Sequence, residues 1–310
     1  MIYINVIKTA IYLFPLLALL LIVPYMIWEY RKYGAILVLR TMIVYSLAFY
    51  LLCAYFLTIL PLPSIESVKE MTTPVMELRP FHAFGLIFSD SPLVLSDPST
   101  YLATLRSNAF LQVFFNILLV VPFGVYLRYY FKRSLLETFL LSFLLSLSFE
   151  LIQLSALFGI YPRPYRLFEV DDLICNTLGG LIGYALTPLC TFFLPKRERL
   201  DEVAYQKGRT VSILRRLLAL GIDFFLIILF TFIIGNVLGH AGLIQSRFLP
   251  GLCIALALCF MDFILIAYFS KGYTIGKAFV KIKLEDTNDH SRPKFLALLI
   301  RYILLSLIHI

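Results

Sequence analysis

LLETFLLSFLLSLSFELIQLSALF (135–158) decides the fold class. A bilayer core about 30 Å thick needs roughly 20 predominantly apolar residues per spanning helix, and this run supplies them with Glu150 set deep inside. Six further runs of adequate length lie at 7–28, 35–60, 109–128, 173–194, 214–238 and 248–270. An eighth, at 295–310, would reach only about 24 Å at 1.5 Å per residue, so it either stands with little tilt or is cut short. The chain has 310 residues, of which 60% are hydrophobic and 15% charged, and its mean hydropathy is +0.88. Soluble domains carry about 25% charged residues. The composition therefore excludes a soluble enzyme, a disordered regulator and a secreted disulfide scaffold. The expected fold class is an all-α polytopic membrane protein of about eight transmembrane helices.

The first run carries Pro15, Pro24, Tyr25 and Trp28, ends on Arg31-Lys32 and has no small-residue cleavage site, so it reads as a retained helix rather than a signal peptide. Cys53, Cys175, Cys190, Cys253 and Cys259 form no C-x-x-C pair and sit in apolar runs, where a thiol acts as a small hydrophobe. The net charge of +8 does not point to nucleic acid, because the bases cluster between apolar runs and report topology instead. Arg31, Lys32, Arg128, Lys132, Arg133 and the bases of 196–216 and 271–294 fall on one side. Those loops are expected to be cytoplasmic, with the N-terminus outside. Arg40, near the inner end of the second run, is expected to snorkel.

PKRERLDEVAYQKGRT (195–210) is the most charged stretch and follows a proline, so it marks the expected boundary. The division is a five-helix domain at 1–195, a basic linker at 196–212 and a three-helix domain at 213–310. The external loop 61–108 contains LRPFHAFGLIF (78–88), too short to span and too apolar to float, which reads as re-entrant or interfacial.

Ionisable groups inside lipid cost several kcal/mol, so each calls for a partner or a role. Counted from the helix ends at about 1.5 Å per residue, Asn116 lies about 10 Å below the outer surface and Glu150 about 12 Å. Gln153 shares a face with Glu150, and Asn176 shares one with Asp172 at the start of the fifth run, beside Asp171. Arg163 and Arg166 hang above them. Three readings stay open: the groups hydrogen-bond the helices together with Asp172 as a cap, or they line an outward polar pocket, or Glu150, Asp171, Asp172 and His82 hold a metal. No H-E-x-x-H or cysteine cluster supports the metal, and none is assigned. Gly179 and Gly183 form a G-x-x-x-G step suited to close helix packing. At the opposite face Arg216, Asp223, Asp262 and Arg301 lie at similar depths, either as mutually neutralising ion pairs or as an ion path. KGYTIGKAFVKIKL (271–284) fails the phosphate-loop spacing and reads as a short basic ribbon on the anionic inner leaflet.

FNILLVVPFG (115–124), LSFELIQL (147–154) and RLFEVDDLICNTLGGLIGY (166–184), with LRPFHAF (78–84) before them, resemble the VanZ-like family of multipass bacterial membrane proteins. RRLLALGIDFF (215–225), Asp262 and GYTIGKAFVKIKLED (272–286) resemble an RDD domain, named for one Arg and two Asp; Arg216, Asp223 and Asp262 stand at those places. The first resemblance implies a bacterial plasma-membrane protein associated with low-level resistance to teicoplanin-type glycopeptides. The second implies movement of ions or solutes. Neither implies catalytic residues or a cofactor.

Three functions follow as expectations. The leading one is a non-enzymatic envelope protein whose pocket (Asn116, Glu150, Gln153, Arg166, Asp171, Asp172, Asn176) binds a lipid-linked or glycopeptide-like amphiphile. The second is a transporter that relays an ion through Asp223 and Asp262. The third is a membrane-embedded hydrolase or transferase with Glu150 as acid or base. The lipid bilayer is the expected partner in all three, and nucleic acid in none.

Overall fold

A computed structural model describes residues 2–243, 248–285 and 293–308. Arg247, residues 286–292 of the basic loop and residues 309–310 lie outside the described residues. Seven described helices are long and apolar enough to cross a membrane. They are α1 (Ile2–Tyr33), α2 (Val38–Ile59), α4 (Asn108–Tyr129), α5 (Leu135–Leu154), α6 (Val170–Cys190), α8 (Ile213–His240) and α9 (Leu249–Phe269). Between them lie the short helices α3 (His82–Ser89), α7 (Arg197–Gly208) and α10 (Ile275–Phe279). The eighth apolar run forms α11 (Phe295–Ile308), which at 14 residues is shorter than a full span.

The chain forms two compact units, 1–18 with 41–197 and 19–40 with 198–310. The expected boundary near 195 is thus crossed by one segment, 19–40, which groups with the C-terminal residues. In the expected linker, α7 buries Leu200 and Ala204. Arg40 does not snorkel. It is fully buried, bonds Glu29 at 3.3 Å, pairs with Asp201 of α7 and stacks 3.7 Å over the Tyr33 ring. Carboxylates within reach and an aromatic face offset the desolvation of its guanidinium.

In the first unit the start of each helix is set locally. The Ser107 hydroxyl accepts from the Phe110 amide at α4, and Ser134 with Glu137 forms a reciprocal capping box at α5. The large apolar side chains of α5, such as Leu136, Leu140 and Leu144, face outward, whereas Thr138, Ser142, Ser146, Glu150 and Gln153 are buried. Lipid tails are as apolar as leucine, so small and polar groups, not leucines, hold the helices to one another.

The tightest contact joins α4 and α6. A Cβ on Gly179 would strike the Ile117 carbonyl, one on Gly183 the Val121 carbonyl, and one on Gly124 the Gly180 carbonyl. The two backbones meet directly at these three glycines, and Gly180 is closed off by Ser142 of α5. On the loop side, β1 (Met76–Glu77) and β2 (Phe168–Glu169) pair in parallel, Met76 with Phe168 and Glu77 with Glu169. Past α5 the chain reverses through Ala156, Leu157 and Phe158 with φ of 53°, 54° and 56°. Left-handed backbone costs non-glycine residues roughly 1–2 kcal/mol each. Ala156 and Leu157 are held by burial against Val68 and Tyr161.

In the second unit α8 packs along α9, whose residues Met261–Ile266 widen into a π-helical turn around Asp262. Gly276 of α10 lies against α8, where a Cβ would strike the Ala219 carbonyl.

These contacts give a contrast that thermal unfolding in detergent can read. Gly179→Ala and Gly183→Ala should each destabilise by about 1–3 kcal/mol through overpacking. Gly221→Ala and Gly235→Ala, whose Cβ would meet nothing within 4 Å, should be neutral or slightly stabilising.

Candidate functional site

The first cluster grows from the N-terminus of α6. Asp171, 3% exposed, accepts from the Phe81 amide at 2.5 Å and the Ala83 amide at 2.6 Å. Phe81 has φ of 65° and no side-chain cap of its own, so the Asp171 carboxylate does the work of an N-cap for α3. Asp172 accepts from the Asn116 amide group, and its backbone carbonyl accepts from Ser146 Oγ at 3.3 Å. Ser146 Oγ in turn accepts from Asn176 Nδ2 at 2.9 Å. A continuous chain of hydrogen bonds therefore runs from α4 through α6 to α5.

Glu150 is 2% exposed, and its Oε2 accepts from the Glu169 amide at 3.2 Å. Gln153 donates to the Thr58 carbonyl at 2.8 Å. The two arginines turn to the loop: Arg166 donates to Leu60 O at 2.8 Å, and Arg163 donates to the Met71 and Thr73 carbonyls. All seven residues of the expected pocket occupy this one region. Each has a protein partner, and Glu150, Gln153, Asp171 and Asn176 are closed off from solvent.

At the rim, hydrogen bonds from Arg79 hold the Glu77 carboxyl down to about 2. Burial, then the Asp171 charge, pushes Glu169 up, and Gln112 donates to it at 3.1 Å. Leu78 and Phe81 before α3 and Phe88 near its end are more than half exposed. Among the described residues, no three His, Cys, Asp or Glu side chains group as a metal site would require.

The second cluster gathers on α10. Asp223 accepts from Thr274 Oγ1 at 2.7 Å and from the Gly276 amide, and Asp262 Oδ1 accepts from the Ile275 amide at 3.1 Å. Asp262 Oδ2 is buried without a hydrogen-bond partner. Lys277 Nζ donates to Tyr302 Oη at 2.6 Å. Burial pushes the Lys277 ammonium down to about 8, aided by the Arg301 charge and opposed by Asp223 and Asp262.

Of the four residues expected here, Asp223 and Asp262 meet on one segment, whereas the Arg216 and Arg301 residues are exposed. The buried arginine is the neighbour, Arg215. Its fork donates to Val280 O at 2.9 Å, Gly34 O at 3.1 Å and Lys281 O at 3.0 Å, above the Tyr30 ring. Arg216 and Arg215 lie seven and eight residues before Asp223, and both offsets fall near one helix face. The stripe Arg215, Ala219, Asp223, Ile227 at four-residue steps is the one that is buried. That spacing is present in the sequence, as is Thr138, Ser142, Ser146, Glu150 on α5; Thr274 and Lys277 lie in the GYTIGK element that carries the RDD resemblance, and Tyr302 has no comparable signal.

Residues 47–191 match the VanZ/LLP1 family and residues 210–310 match the RDD family. No curated protein and no solved structure matches the chain.

The choice between the two arginines is measurable. Arg215→Ala removes the donor from three carbonyls, of which Val280 O is buried, and should cost about 2 kcal/mol of stability. Arg216→Ala should stay within about 0.5 kcal/mol. Comparing the melting of the two variants reads this directly, and equal losses would contradict it.

Proposed function

Because the chain is a fusion of a VanZ/LLP1-type segment with an RDD segment on membrane-crossing helices, we propose that it serves the bacterial cell envelope as a plasma-membrane protein that binds an amphiphile at its outer face. The N-terminus and loop 61–108 face outward on this reading, in keeping with the basic loops on the other side. The ligand is a lipid-linked or glycopeptide-like molecule, and binding it contributes to resistance against teicoplanin-type antibiotics.

One arrangement supports this reading. Asp171 holds the N-terminus of α3, which presents exposed Phe81 and Phe88 with Leu78 before it, next in sequence to Glu77, whose strand pairs with that of Glu169. Apolar side chains next to carboxylates suit a molecule with a greasy tail and a polar or cationic head. On this reading the buried Glu150 and Asn176, with the half-buried Asn116 and Asp172, shape this platform from below. In a susceptible host, the intact chain should raise the inhibitory concentration of a teicoplanin-type glycopeptide. Asp171→Ala and the double change Phe81→Ser, Phe88→Ser should return it to the host level at unchanged protein abundance. Full retention in both variants would sink the platform.

A second reading rests on Asp262 Oδ2, which is buried without a hydrogen-bond partner beside Asp223 and Lys277. An acid of this kind within a membrane can exchange a proton or hold a monovalent cation. Proteoliposomes of the intact chain should then show a proton- or sodium-coupled flux that Asp262→Asn abolishes. Absence of flux in the intact chain would remove this reading.

A further inference from the structure

The second unit contains a cleft of about 440 Å³ that adjoins the Asp223–Asp262 cluster and shares Thr274 and Ile275 with it. It is lined by Arg31 at the end of α1, by Ile266 and Ser270 at the end of α9, and by Thr274, Ile275 and Phe279 on and before α10. The polar groups around it are committed elsewhere. Thr274 Oγ1 donates to Asp223, and Ser270 Oγ is bonded to the Ile266 and Tyr273 carbonyls. The rest of the surface is aliphatic or aromatic apart from the hydroxyl of Tyr273, which with Ala278 completes the lining. Arg31 is the exception: exposed, it makes one hydrogen bond, to Phe279 O at 3.3 Å, and meets no carboxylate among the described residues. Four of its five N–H donors are left for a ligand.

The surroundings place this cleft at headgroup level. Trp28 is 44% exposed and one turn from Lys32, whose ammonium sits 4.9 Å over the Trp28 ring and 5.1 Å over that of Tyr33. Tryptophan and tyrosine beside Lys or Arg gather where hydrocarbon gives way to water. Phe279 and Phe269 extend the apolar wall outward, 43% and 78% exposed. Lys271 follows the lining residue Ser270 directly and Lys281 comes two residues after Phe279, both with positive φ. An unpaired guanidinium at the rim of a greasy cleft, with an excess of positive charge around it, is complementary to a phosphate that carries hydrocarbon.

We propose that this cleft binds an anionic glycerophospholipid. The Arg31 guanidinium takes the phosphodiester, and an acyl chain lies along Ile266, Ile275 and Phe279. The site depends neither on which face of the membrane is cytoplasmic nor on either activity proposed above. Anionic headgroups are preferred over zwitterionic ones, because a choline placed against Arg31 and Lys32 would be repelled.

The test uses the full-length chain in detergent micelles, with retained lipid counted by native mass spectrometry. The probes are phosphatidylglycerol, phosphatidylcholine and inorganic phosphate. Phosphatidylglycerol should bind in preference to phosphatidylcholine, and Arg31→Ala should weaken it about fivefold. Arg31→Lys should recover part of the loss. Ile266→Trp, which fills the cleft and leaves the charge in place, should also release the lipid; melting temperatures confirm that each variant is folded. Equal retention by the intact chain and Arg31→Ala would overturn the proposal. So would displacement of the lipid by millimolar inorganic phosphate, which would mark a free-phosphate site. Retention in Ile266→Trp would overturn the cleft as the place of binding, and equal affinity for phosphatidylcholine would overturn the charge preference.

Discussion

Two helix backbones touch at Gly124, Gly179 and Gly183, and much of the first unit follows from that contact. In lipid there is no hydrophobic reward for bringing leucines together, since the tails serve them equally well. Cohesion comes instead from close backbone approach and from polar groups that have no water to turn to. The glycines bring α4 and α6 near enough for Asn116 to reach Asp172, and Ser146 and Asn176 extend the same hydrogen-bond chain to α5. A side chain at any of these glycines would move every donor in that chain.

Both units solve the problem of a buried carboxylate in one way. Asp171 accepts backbone amides at the start of α3, Glu150 accepts the Glu169 amide at the start of α6, and Asp223 and Asp262 accept those of Gly276 and Ile275 at the start of α10. The first amides of any helix lack partners within it, and they carry the positive end of the helix dipole. A membrane protein can therefore hold acids without matching each one to a base. This is why Arg216 and Arg301 were not needed beside Asp223 and Asp262, and why Arg215 is free to bind carbonyls. The short helices that receive these carboxylates are thereby fixed to long ones.

The crossing helices were legible because a length rule governs them: run length and the scarcity of charge locate 135–158 without reference to any neighbour. Depth along a helix singles out Asn116 and Glu150, and face-sharing adds Gln153 and Asn176; in the structure they lie in one region with Arg166, Asp171 and Asp172. What depth does not reveal is exposure. Glu150 at mid-helix reads the same whether it lines a cavity or caps a backbone amide, and that depends on the loop at 166–169, whose path no periodicity encodes. The burial of Arg40 and the helix at 197–208 are hidden in the sequence for a related reason. A charged run looks like a solvated linker unless its partners are known, and Glu29 and Tyr33 lie far from Asp201 along the chain. The choice of Arg216 over Arg215 turned on a single residue of register, which helix geometry leaves nearly balanced. The π-helical turn at Asp262 has no sequence cue of its own.

The pairing of Arg40 with Glu29 and Asp201 bears on modularity. The RDD match begins at residue 210, yet the compact unit that contains it begins at residue 19 and draws on the C-terminal part of α1 and the first residues of α2. Arg215 takes one of its three carbonyls from Gly34, and Tyr30 lies in the same core cluster as Ala219 and Val280. A transplant cut at the family boundary would leave these groups behind, whereas the transferable piece is discontinuous in the gene. A domain swapped between such fusions must carry residues 19–40 with it, and these precede the VanZ/LLP1 match at 47–191. Recombination that respects only the family borders would separate chain segments that fold as one.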